Sequence, residues 1–265
     1  MSRYSFSDRR RGRRSSLSFD DGATTYTEEK FLDYGRHCSK VSLFSIPGNN
    51  QKYAVKYFSH HDVAAAEKEA DFWRKRYPKA HVAVFHNSRE LRLAMPMLPN
   101  QSYLEAIRKV TTLQALVELI RALVTEIEAL HDLGVIHCDL KALNLMVGDD
   151  GKVCACDFGN ALMMGDPVTL FAGPPRVDAW RYLPPEQHKD TNKGPIAATP
   201  ELDIFAVGSL LEQTLCYMVD YPAFILEFIE QSHKVNPQER PLLAPFKGQL
   251  ESCLAEIEAA HVASP

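Results

Sequence analysis

This chain lacks cysteine pairs at metal or redox spacing, long apolar runs, an excess of either charge and internal repeats, and each lack removes a class of function. Its six cysteines (Cys38, Cys138, Cys154, Cys156, Cys216 and Cys253) stand apart, with no Cys-x-x-Cys motif and no disulfide framework, so free thiols in a reducing compartment are expected. No apolar stretch nears the roughly 20 residues a bilayer span needs, and no apolar segment follows the N-terminal arginines as it would in a secretory leader. A soluble protein with no transmembrane segment is expected. A net charge of -4 argues against nucleic acid as a partner. His60-His61-Asp62 has no further ligands nearby in the sequence and reads as a polar helix start rather than a metal site.

What is there is enough to fold. Of 265 residues, 45% are hydrophobic, which allows a sizeable core. Residues 1–25 carry Arg9, Arg10, Arg11, Arg13 and Arg14 among serines with little to bury, and read as a disordered tail. Targeting, tethering to an anionic surface and phosphorylation at Ser15 or Ser16 are its competing functional readings, beside that of a solvated tail. From about Thr27, strands are expected at Phe31–Gly35, Val41–Ile46 and Lys52–Phe58, the last two joined by a turn at Pro47-Gly48-Asn49-Asn50-Gln51. A helix over residues 62–76 stops before Pro78, and His81–His86 and Leu91–Met95 read as two further strands. Leu113, Leu116, Val117, Ile120, Leu123, Val124, Ile127 and Leu130 fall on one stripe of a long amphipathic helix. Short strands follow at Leu145–Val147 and Val153–Cys156, then helices at about 202–218, 221–232 and 242–259. The fold class is α+β: a small five-stranded lobe with one helix over residues 26–98 and a shortened, mainly helical lobe over 99–265.

The chemistry concentrates in His137-Cys138-Asp139-Leu140-Lys141-Ala142-Leu143-Asn144, with Asp157-Phe158-Gly159 beginning thirteen positions after the asparagine. Two carboxylates, a lysine and an amide at these spacings suit phosphoryl transfer from Mg-ATP, where catalysis is mostly positioning and charge neutralisation. From about Phe31 to Leu254 the chain resembles the protein kinase family, of Ser/Thr type because Lys141 stands two residues after Asp139. The resemblance implies that Asp139 accepts the proton of a substrate hydroxyl, that Lys141 sits near the transferred phosphate, and that Asn144 and Asp157 hold Mg2+. Ala54-Val55-Lys56 supplies the strand lysine for the ATP phosphates. Glu69 is its implied partner, with Glu67 as competitor; Phe72 and Trp73 follow Glu69 at three and four residues and mark its face as the inward one, packing toward Phe158 and His137. Val41, Ala54 and Met146 would enclose adenine, Met95 would close the back of the pocket, and Met97 and Leu98 would offer backbone groups. Glu186 in Tyr182-Leu183-Pro184-Pro185-Glu186 would pair with Arg240, and Asp203 would anchor the catalytic loop.

The chain also departs from the family pattern. Of the glycines that let backbone approach phosphates, only Gly35 survives in Gly35-Arg36-His37-Cys38-Ser39-Lys40-Val41. Cys138 replaces the arginine that receives a phosphorylated activation segment, so activity independent of such phosphorylation is expected. Only about fifty residues separate Glu186 from Arg240, and the helix used for docking is expected to be missing. This trimmed plan resembles kinases that bacterial pathogens secrete into host cytoplasm, some dependent on a host protein activator such as the ubiquitin machinery. The expected partners are a protein substrate and such an activator. A pseudokinase binding module and a kinase of a small molecule are the alternatives.

Overall fold

A computed structural model describes residues 18–20, 25–33, 40–48, 51–87, 90–98, 101–170, 181–189, 194–218 and 220–263. The chain divides into two compact units, one from the residues up to Val63 with Val82–Met97, the other from Ala64–His81 with Leu98 onward.

The first unit is an antiparallel sheet. Its strands are β1 (Ser18–Asp20), β2 (Thr25–Asp33), β3 (Lys40–Ser45) and β4 (Lys52–Phe58), then β5 (Ala83–His86) and β6 (Leu91–Pro96), ordered β1-β2-β3-β4-β6-β5. The five expected strands are therefore joined by a sixth, β1, which lies inside the stretch read from composition as a disordered tail. β2 also begins at Thr25 rather than Phe31, because Tyr26 is fully buried and packs edge-on against Tyr53 and Phe85 at 5.5 and 5.3 Å. One anchoring ring outweighs the polar character of its neighbours. Tyr26, Phe44, Tyr53, Val55 and Ala94 form the core on one sheet face. Cross-strand partners share a face, so the register pairs Val41 with Lys56 and Ala54 with Met95 on the opposite face.

The second unit opens with α1 (Val63–Arg76), followed by β7 (Gln101–Ser102), α2 (Tyr103–Ile107) and α3 (Leu113–Asp132). Ser102 and Glu105 form a capping box on α2, and Thr112 caps α3 through the Ala115 N–H at 3.2 Å. The stripe read in the sequence is the buried face of α3, with Leu116, Val117, Ile120, Leu123, Val124, Ile127 and Leu130 all at 0% exposure. Then come β8 (Val135–Ile136), β9 (Leu145–Val147), β10 (Val153–Ala155) and β11 (Leu162–Met163). β9 pairs with both β10 and β7, and β11 pairs with β8.

Helices α4 (Pro200–Leu215), α5 (Ala223–Ser232) and α6 (Leu243–Ala263) complete the unit. α4 and α5 cross at Gly208, where an added Cβ would lie 2.6 Å from the Ser232 Cβ. None of the five cysteines in the described residues forms a disulfide. No helix among these residues is long and apolar enough to cross a membrane.

Candidate active site

The loop between β8 and β9 is fastened from below by one buried carboxylate. Asp203 of α4, 1% exposed, accepts the His137 N–H at 2.8 Å and the Cys138 N–H at 3.0 Å, and also meets His131 Nε2 at 3.0 Å. Burial pushes this carboxyl up, but His131 and the His137 amide outweigh it and hold Asp203 below its ordinary value. Cys138 sits at φ 59, a left-handed backbone rarely adopted by a residue with a side chain. Its N–H bond to Asp203 is what holds that conformation.

His137 is fully buried and bridges both halves of the motif. A tautomer with the proton on Nε2 donates to the Cys156 carbonyl at 3.1 Å and leaves Nδ1 to accept the Asp139 N–H at 3.3 Å. Phe158 lies 5.4 Å from His137 and 5.4 Å from Trp73, so the packing expected from the helical spacing of Glu69, Phe72 and Trp73 is present. Glu69 is 2% exposed, whereas Glu67 is exposed and reaches Arg74 at 3.7 Å.

Three side chains converge on one oxygen of Asp139. Lys141 Nζ lies 2.9 Å, Asn144 Nδ2 3.2 Å and Asn160 Nδ2 3.4 Å from Oδ2. Asn144 Nδ2 also donates to the Asp139 backbone carbonyl at 2.9 Å. That bond fixes the amide's orientation and directs its carbonyl oxygen away. The Asn144 carbonyl in the main chain accepts the Cys156 N–H at 2.9 Å, which sets Asn144 beside the residue preceding Asp157. Asp157 has φ 62, and both its Oδ1 and Glu69 Oε2 flank Gly159, at 3.5 and 3.6 Å from where a Cβ would stand.

The resemblance to kinases implies Mg2+ here, and the residues fit it. An amide oxygen and a carboxylate are hard donors of the kind Mg2+ takes alongside phosphate oxygens. Among the described residues no cluster of three or more His, Cys, Asp or Glu forms an all-protein metal cage.

The structure thus brings Asp139, Lys141, Asn144, Asp157 and Glu69 into one unit, with Met146 and Leu98 also in it. Val41, Ala54, Lys56, Met95 and Met97 belong to the sheet unit, where Val41, Ala54, Lys56 and Met95 share one face. The Met97 N–H is taken by the Lys52 carbonyl at 2.9 Å, so of the two backbone groups of Met97 only the carbonyl is left for adenine. Gly35, with His37 and Ser39, lies outside the described residues. Sequence reasoning passed over Asn160, the residue after Asp157-Phe158-Gly159; its adjacency to that motif was the available signal.

Two further supports surround the loop. Glu186 and Arg240 form a bidentate pair, Nη1 to Oε1 at 2.6 Å and Nη2 to Oε2 at 2.8 Å, with the Arg240 side chain at 0% exposure. Beyond Asp157 the chain is tied to the segment before α4 by Gly165 N–H to Ala198 O at 2.9 Å, Ala198 N–H to Asp166 O at 2.8 Å and Val168 N–H to Ile196 O at 2.9 Å. Cys138 joins Leu162, Val168 and Ile196 in packing against the buried Ile136, Ala198 and Leu202. Where the family's arginine would await a phosphate, this chain therefore has an apolar cluster. Burial and the Asp203 carboxylate push the Cys138 thiol well up, so it stays protonated and unreactive.

Residues 35–225 match the protein kinase domain family, and the chain belongs to that family. It is 25% identical over 207 residues to a Rho-associated protein kinase of Caenorhabditis briggsae, covering 73% of this chain and 17% of that protein. It is 34% identical over 119 residues to the interferon-induced, double-stranded RNA-activated protein kinase of Rattus norvegicus, 43% of this chain and 21% of the relative. A probable serine/threonine-protein kinase PknB of Lactococcus lactis is 30% identical over 105 residues, 40% of this chain and 16% of the relative. The chain spans about a fifth or less of the length of these relatives.

Proposed function

We propose that the chain is an active Ser/Thr protein kinase that transfers the γ-phosphate of ATP to a protein hydroxyl. The observation that carries this reading is the convergence of Lys141, Asn144 and Asn160 on Asp139 Oδ2. With Oδ2 engaged, Oδ1 is the oxygen that takes the proton of the substrate hydroxyl. Lys141 Nζ, 2.9 Å from Asp139, is near enough to move onto the transferred phosphate as that proton arrives. Asn144 and Asp157 would hold Mg2+, which when bound would neutralise charge on the phosphates. Lys56 grips the phosphates with Glu69 as its partner. Gly35 covers them, Val41, Ala54 and Met146 enclose adenine, and Met95, the Met97 carbonyl and Leu98 complete its recognition.

A pseudokinase reading is disfavoured by the joint presence of Lys56, Glu69, Asp139, Asn144 and Asp157, since a binding module would not need them together. We also infer a finer role, that of a bacterial effector acting in host cytoplasm with a host activator. The short path from α4 through α5 to Arg240 supports it, because little chain remains there to dock partners in the usual way.

The test is radiolabelled phosphate transfer from Mg-ATP by wild type and Asp139→Asn, each alone and with eukaryotic extract. Transfer by wild type alone, lost by about a hundredfold or more in the variant, is expected of an autonomous kinase. Transfer only with extract supports a host activator. No transfer under either condition by a folded protein refutes the kinase reading in favour of a binding module.

A further inference from the structure

A buried charged cluster outside the catalytic loop has no part in the chemistry above. Glu126 lies on α3 and is 3% exposed. Its two carboxylate oxygens accept along one edge of the Arg76 guanidinium, Nε to Oε1 at 3.1 Å and Nη2 to Oε2 more closely still. Oε1 also accepts the Ala155 N–H at 2.9 Å and lies 3.2 Å from the Tyr77 hydroxyl. That hydroxyl is in turn 2.9 Å from the Ala155 carbonyl. One carboxylate thus joins the end of α1 to the end of β10.

Each of the two joined ends is continuous with an element that carries an active-site carboxylate. Arg76 and Tyr77 come seven and eight residues after Glu69, two helical turns along the same element, and the Tyr77 N–H continues the helix to Trp73 O at 2.8 Å. Ala155 comes two residues before Asp157. The Trp73 and Phe158 rings, 5.4 Å apart, form a second link between the same two elements. Apolar packing tolerates sliding by part of an ångström, whereas a bidentate guanidinium pair with a backbone bond does not.

We propose that Glu126 is a positioning residue for phosphoryl transfer: it locks α1 to the strand delivering Asp157 and so sets Glu69 and Asp157 in mutual register. The proposal rests on the protein kinase reading for its consequence, but the lock itself is a property of the fold. Burial and the Glu126 carboxylate push the Tyr77 phenol well up, so the phenol keeps its proton. A single phenolic proton serves two acceptors here, Glu126 and the Ala155 carbonyl. The Arg76 charge is what keeps this arrangement balanced. In this chain α1 is tied directly to α3 and β10 through Arg76, Tyr77 and Glu126.

The test compares full-length wild type, Glu126→Gln and Tyr77→Phe. Glu126→Gln keeps shape and one acceptor but removes the charge; Tyr77→Phe removes one hydroxyl and is the variant least at risk of misfolding. Two readouts are taken: kcat and KM for a protein substrate, and amide hydrogen exchange by mass spectrometry. Per folded molecule, kcat should fall about tenfold or more in Glu126→Gln and about threefold in Tyr77→Phe, with KM nearly unchanged. Exchange should quicken in residues 63–77 and 153–158 while α4 stays protected. An unchanged kcat per folded molecule in both variants, or exchange that quickens equally in α4, overturns the proposal. If wild type transfers no phosphate, quickened exchange confined to 63–77 and 153–158 upholds the lock and refutes only the kinase reading. Uniform exchange in that case overturns the lock.

Discussion

Replacing Asp203 with Asn should cripple the catalytic loop while altering no residue in it. The carboxylate accepts Cys138 N–H on Oδ1 and His137 N–H and His131 on Oδ2. An amide has one acceptor oxygen, so if it serves His137 and His131 its NH2 faces the Cys138 N–H, donor to donor. One buried backbone donor is then orphaned, at about 1–3 kcal/mol, and the two remaining bonds lose their charge assistance, at about 1 kcal/mol each. The sum, about 3–5 kcal/mol, is a large part of the roughly 5–15 kcal/mol that holds a domain folded. Circular dichroism at increasing temperature should show a midpoint about 10 °C lower. Cys138, freed from the bond that holds φ 59, relaxes to negative φ and carries Asp139 with it, so phosphate transfer per folded molecule should fall about tenfold or more. The pH dependence is a second signature. Because the folded Asp203 carboxyl lies below its ordinary value, its stabilisation is complete above the unfolded value of about 3.9 and is lost as pH falls through the folded one. The gap between wild type and variant should therefore close as pH falls below about 4. A midpoint shift under about 2 °C with unchanged transfer would refute the reasoning.

Gly208→Ala should lower stability by about 1–3 kcal/mol, since its Cβ would meet Ser232 Cβ at 2.6 Å, and Ser232→Gly in the same chain should recover most of the loss in urea unfolding. Glu186→Gln leaves the Arg240 guanidinium buried against a neutral amide and should cost about 3–5 kcal/mol; chemical unfolding that matches wild type would show the pair to be dispensable. Thr169 is the only serine or threonine between Phe158 and Glu186. Thr169→Ala should retain transfer activity within about twofold, and its loss in a folded protein would overturn the view that backbone ties and the Cys138 cluster replace a phosphate contact.

Much of this protein was legible before any coordinates. The α3 stripe and β4 at Lys52–Phe58 follow from periodicity, because a buried face must repeat with the period of its element. The order of His137, Asp139, Lys141, Asn144 and Asp157 named the chemistry, since their spacing is itself the motif. The sequence was silent where an interaction joins distant residues. β1 carries no local signal, because a short edge strand is stabilised by its partner β2 rather than by its own composition. Glu126 stands at the edge of the apolar stripe of α3, and a charge there was a visible anomaly. Its meaning depended on Arg76, Tyr77 and Ala155, 50, 49 and 29 residues away. Cys138 was legible as the loss of an arginine, but not as a member of an apolar cluster with Val168 and Ile196. The sequence by itself determined the elements and the reacting groups, which depend on local period and residue type. Only the tertiary structure decided which buried charges are paired and what holds the catalytic loop, because a buried polar group takes its free energy from the partner the fold brings to it.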